Sequence, residues 1–93
     1  MFSLNFAAGQ VVAVGGTSAN STAFTTPTYV QLATNTDCWV KIGTTAIAVG
    51  QTTGNLLVPA NTYLNVLVPA GARVAVIHDA TGGHLSVVPI LSE

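Results

Sequence analysis

Leu-Val-Pro-Ala is written twice, at residues 57–60 and 67–70, and each copy is followed by a residue that tolerates left-handed backbone, Asn61 or Gly71. Proline presets φ and removes a ladder donor, so each copy reads as a strand end running into a tight corner. The spacing predicts type I turns with proline second and Asn61 or Gly71 fourth. Between the corners the chain alternates: Leu64, Val66 and Val68 point one way, Tyr63, Asn65 and Leu67 the other. A strand pinned between two corners leaves no room for a helix. It also excludes a membrane-spanning helix, which needs roughly 18 consecutive apolar residues. Residues 56–77, the most hydrophobic region, are broken by two prolines, two asparagines, Tyr63, Gly71 and Arg73.

The rest of the chain has the same texture, with turn signals arriving about every ten residues. Gln10–Val14 is a short apolar run closed by Gly15-Gly16, and residues 18–24 lead into Thr25-Thr26-Pro27. The runs 29–34 and 38–42 flank Asn35-Thr36-Asp37, which reads as a hairpin turn. Residues 46–49 read as a strand closed by Gly50, and a loop at 51–54 precedes Leu56–Val58. Residues 72–79 place Val74, Val76 and His78 on one face and Arg73, Ala75 and Ile77 on the other. Thr81-Gly82-Gly83 is a turn, and 85–91 is the last strand. The expected fold is all-β: a small antiparallel β-sandwich of about eight short strands in meander order, with a jelly roll as one way to close it. Residues 25–93 form the sandwich domain. Residues 1–24, rich in small residues with Phe2, Leu4 and Phe6 alternating, are either an arm laid on a neighbour or the first strands.

Charge narrows the function. Of 93 residues 49% are hydrophobic and 5% charged, against a usual charged share of about 25%. The charged side chains are Asp37, Lys41, Arg73, Asp79 and Glu93. Two separated cations cannot track a phosphate backbone, so no direct nucleic-acid binding is expected. The first ten residues lack the positive region of a signal peptide, and the single Cys38 excludes an internal disulfide. A surface of Thr, Ser, Asn and Gln suits faces covered by neighbours, because neutral polar groups cost less to desolvate than charges. Several strands are apolar on both faces, as at Leu64/Leu67 and Val76/Ile77. They are either buried against other subunits or the ordinary apolar surface of a small sandwich.

No catalytic, cofactor or metal site is expected. His78, Asp79 and His84 lie on either side of a Gly-Gly turn with no fourth ligand for a closed zinc site. A thiol triad of Cys38, a histidine and Asp79 has no local support, since Cys38 sits among apolar neighbours. Trp39 and Tyr63 suit either stacking on a sugar or anchoring a core or interface. The interface candidates are Phe2, Leu4, Phe6, Trp39, Tyr63, Leu64, Leu67 and Ile77.

The runs YVQLATNTDCWVKIG, LLVPANTYLNVLVPAGARVAVI and LSVVPILSE, with the Thr/Gly loop and the Gly-rich turn between them, resemble small virion structural proteins of tailed bacteriophages, over about two-thirds of the chain. The resemblance implies a non-enzymatic capsid decoration (cement) protein on the virion surface, with the major capsid protein as partner. It carries no catalytic residues. A neck or tail component, or a carbohydrate-binding module using Trp39 and Tyr63, are the alternatives. Small size and scarce charge also predict a homo-oligomer, and the three-fold junctions of an icosahedral lattice make a trimer the expected form.

Overall fold

The computed structural model describes residues 3–45, 48, 50 and 54–91, and for Ser3 the backbone alone. Within them the chain forms nine strands: β1 (Ser3–Leu4), β2 (Gln10–Val14), β3 (Ala19–Asn20), β4 (Thr28–Thr34), β5 (Cys38–Gly43), β6 (Leu56–Val58), β7 (Thr62–Val68), β8 (Arg73–His78) and β9 (Gly83–Leu91). The one helical piece among these residues is a 3-10 turn at Phe6–Ala8. The expected strand at 46–49 falls mostly outside the described residues.

The strands make two antiparallel sheets. One runs β2-β9-β4-β7, with β1 continuing the β2 edge along β9, and the other runs β3-β8-β5-β6. The meander expectation is corrected here. Consecutive strands from β2 onward change sheets at every step except β5 to β6. Asn35-Thr36-Asp37 is therefore a crossover between sheets and not a hairpin turn, since β4 pairs with β7 and β9 while β5 pairs with β6 and β8. The pairs nest: β5 with β6, β4 with β7, β3 with β8, β2 with β9. An antiparallel ribbon folded at its middle and rolled so that successive pairs alternate sheets is a jelly roll.

The repeated Leu-Val-Pro-Ala now has a structural meaning. The first copy carries the chain from β6 to β7 and the second from β7 to β8, and both change sheets. The turn lies one residue later than the spacing suggests. Ala72 N–H donates to Pro69 C=O at 3.1 Å, so proline is first and Gly71, at φ 79°, is third. Asn61, at φ 62°, holds the same place in the first copy, where the Thr62 hydroxyl donates to Pro59 C=O at 2.6 Å. Positive φ at the third position is what a type II turn requires.

The core is built from the inward positions of both sheets. Val30, Leu32, Val68, Val74, Val76, Leu85 and Val87 are fully buried. Burying each contributes about 1.5–3 kcal/mol relative to exposure. The buried hydroxyls of Ser21, Thr34 and Thr36 are hydrogen-bonded. Thr34 Oγ1 donates to Thr36 C=O at 2.8 Å, Thr36 Oγ1 donates to Thr81 C=O at 2.7 Å, and Ser21 Oγ accepts from Val74 N–H at 2.9 Å. The 35–37 crossover is further held by His84 N–H donating to Asn35 Oδ1 at 2.8 Å and Ala60 N–H donating to Asp37 Oδ1 at 2.7 Å.

Pro89 sits inside β9, a strand with neighbours on both sides, and the edge strand accommodates it. Opposite residues sum to 94 between β1 and β9 and to 97 between β2 and β9, so the edge carries three extra residues there. The 3-10 turn absorbs them. Asn5 N–H donates to Pro89 C=O at 2.8 Å, and Asn5 C=O, which a regular ladder would offer to the proline nitrogen, accepts instead from Ala8 N–H at 3.2 Å.

Candidate interaction surface

The two outer faces of the sandwich differ in charge. On the β2-β9-β4-β7 sheet, alternation and register turn Val11, Ala13, Tyr29, Gln31, Ala33, Tyr63, Asn65, Leu67, His84, Ser86 and Val88 outward. This face has no Lys, Arg, Asp or Glu among the described residues. Val11 is 71% exposed, Tyr63 68%, Tyr29 60% and Leu67 46%. Large apolar side chains gathered on one uncharged sheet face mark a contact surface more than scattered ones would.

The outer face of the β3-β8-β5-β6 sheet carries Trp39, Lys41, Arg73, Ala75 and Ile77, and is covered in part by the chain itself. Ala48, from the connection between β5 and β6, is fully buried against Ala75, with Ile77 packed beside them. The Ala48 N–H donates to Ser18 Oγ at 3.0 Å. Trp39 is tied down by its indole N–H, which donates to Asp79 Oδ1 at 3.0 Å.

The residues singled out from the sequence therefore separate. Tyr63 and Leu67 share the neutral face. Ile77 and Trp39 lie on the opposite outer face. Leu64 points inward and packs on the core cluster. Leu4 is half-buried where β1 pairs with β9, and Phe6 is 74% exposed on the 3-10 turn. Phe2 lies outside the described residues. The segment 1–24, open between arm and first strands, supplies β1, β2 and β3 to the sheets. Val11 and Tyr29, missed at the sequence level, complete the neutral face. The signal was present for Tyr29, whose position on β4 alternates with Val30 and Leu32.

Sugar stacking between Trp39 and Tyr63 is ruled out geometrically, because the rings project from opposite sides of the sandwich. The possible reactive groups are no better placed. Cys38 and His78 are direct register partners on the core side. Burial pushes the Cys38 thiol above its ordinary value, with the Asp37 charge adding to the rise and a hydrogen bond with Thr34 opposing it. A protonated, buried thiol is a poor nucleophile. Among the described residues no three His, Cys, Asp or Glu side chains gather as a metal site, and no helix is long and apolar enough to cross a membrane.

Comparisons with protein-family models, curated proteins and solved structures find no match.

Proposed function

We propose that this chain is a non-enzymatic structural protein of a tailed-bacteriophage virion, a decoration protein seated on the capsid against the major capsid protein and assembled with copies of itself. The observation that carries the reading is the uncharged outer face of the β2-β9-β4-β7 sheet, with Val11, Tyr29, Tyr63 and Leu67 exposed. Such a face makes contact at low desolvation cost and needs no reacting group. The virion assignment is supported by the resemblance carried by residues 29–43, 56–77 and 85–93. A shell under internal DNA pressure gains resistance from added contact area across its subunit junctions, and a rigid sandwich supplies that area.

Quantitative mass spectrometry of purified particles tests the reading. A copy number that scales with the capsid lattice is expected. A small ring number would move the protein to the neck or tail, and absence from particles would defeat the virion reading.

A further inference from the structure

We propose that β7 pairs with β7 of a second copy, antiparallel about a two-fold axis at Asn65, so that the β2-β9-β4-β7 sheet continues across the dimer. Exposed strand edges are ready templates for pairing, and proteins guard them with short strands, bulges, prolines or charges. Three of the described edges are guarded. β3 has two residues and β6 three. The β1/β2 edge is broken by the 3-10 turn at Phe6–Ala8. β7 is unguarded. Its seven residues, Thr-Tyr-Leu-Asn-Val-Leu-Val, match β4 in unbroken register with no bulge, proline or charge.

Among the described residues the sandwich is also open along this side. Leu64 and Val66 face the core yet are only partly buried. Leu56, on the core side of β6 opposite buried Val40, is 50% exposed. An apolar seam therefore runs beside the open edge.

A second copy of the chain fits this edge by its own chemistry. Centred on Asn65, self-pairing sets Asn65 against its symmetry mate, Tyr63 against Leu67 twice and Leu64 against Val66 twice. Amide–amide and aromatic–aliphatic pairs of this kind stabilise antiparallel strands. No charge meets its own copy. A ring built by edge pairing, such as the expected trimer, needs two different open edges. One open edge used by both partners closes as a two-fold dimer and leaves the neutral face free on both copies. The inference rests on the edge and not on the virion reading.

Residue 65 meets itself only in this register, and it is exposed, so charged variants leave the core intact. Sedimentation velocity on the full chain at micromolar concentration is expected to show a dimer. Asn65→Lys and Asn65→Glu should each weaken it by about tenfold or more, through like charges across the axis, and an equimolar mixture should restore it. Asn65→Cys should form a disulfide-linked dimer under mild oxidation, since opposed cross-strand cysteines fall within disulfide reach. A monomeric wild type overturns the proposal. So does a dimer that both charged variants leave intact, a mixture that fails to recover, or an Asn65→Cys protein that does not cross-link.

Discussion

Tyr29 and Leu67 stand directly opposite one another on β4 and β7, both on the outer face, 60% and 46% exposed. A directly opposed aromatic–aliphatic pair stabilises its sheet by roughly 0.2–1 kcal/mol. What it leaves exposed is available to a partner.

Leu67→Arg therefore separates folding from assembly. In the monomer the change removes only the pair with Tyr29, and urea unfolding should shift by about 1 kcal/mol or less. Binding to particles stripped of the protein should fall steeply, because a buried contact would enclose an unpaired charge. Full binding by the variant would remove Leu67 from the contact.

The core behaves oppositely. Leu32 and Leu85 are fully buried, one from each of two adjacent strands. Leu32→Ala or Leu85→Ala should destabilise by about 2–5 kcal/mol. In a domain of this size that is a large share of the total. A loss under 1 kcal/mol in chemical denaturation would contradict the burial described.

The 35–37 crossover approaches Gly83 closely enough to exclude a side chain there. A Cβ on Gly83 would collide with Asn35 Oδ1 and lie 2.8 Å from Thr36 Cγ2, whereas one on Gly15 would meet nothing within 4 Å. Gly83→Ala should cost about 1–3 kcal/mol, and Gly15→Ala should lie within about 0.5 kcal/mol of wild type. Equal effects from the two substitutions would place the crossover elsewhere.

Cys38 gives a pH signature. Its folded value is raised above the ordinary thiol value of 9.0, mainly by burial. The neutral form is thus favoured in the folded state. Its contribution to stability is fully present below about pH 9 and is lost as pH rises through the raised value. Stability should fall more steeply above pH 9 in wild type than in Cys38→Ala. The native thiol should resist thiol reagents at pH 8 and react on unfolding. Parallel stability profiles for the two proteins would show Cys38 to be unburied.

Strand positions and the grouping of residues by face were legible because alternation is local. Tyr63, Asn65 and Leu67 read from the sequence as sharing one face opposite Leu64, Val66 and Val68, and Val74 and Val76 as sharing another, as the structure has them. Which face was outward was not legible: Leu64 stood among the contact candidates and packs on the core. Pairing was not legible. Asn35-Thr36-Asp37 carries the chemistry of a chain reversal, but a reversal within a sheet and a step to the opposite sheet use the same turn residues. Only partners as distant as Thr81 and His84 decide between them. The candidate surface was half legible for a similar reason. Leu67 and Ile77 look alike in sequence, and what separates them is Ala48, packed from another part of the chain beside Ile77.

The nested strand pairs bear on how the protein is made. Every described ladder joins a strand before residue 44 to a strand after residue 55. A ribosome that has synthesised β1 to β5 has released not one strand with a partner. β5 is the first to have a partner available, when β6 emerges, and β9 is needed to complete the sheet with β2 and β4. Folding of the sandwich must then wait until β9 has been made, and distant pairings of this kind form slowly. Until then the nascent half is a set of unpaired, nearly uncharged strands, and it is most exposed to aggregation before the chain leaves the ribosome.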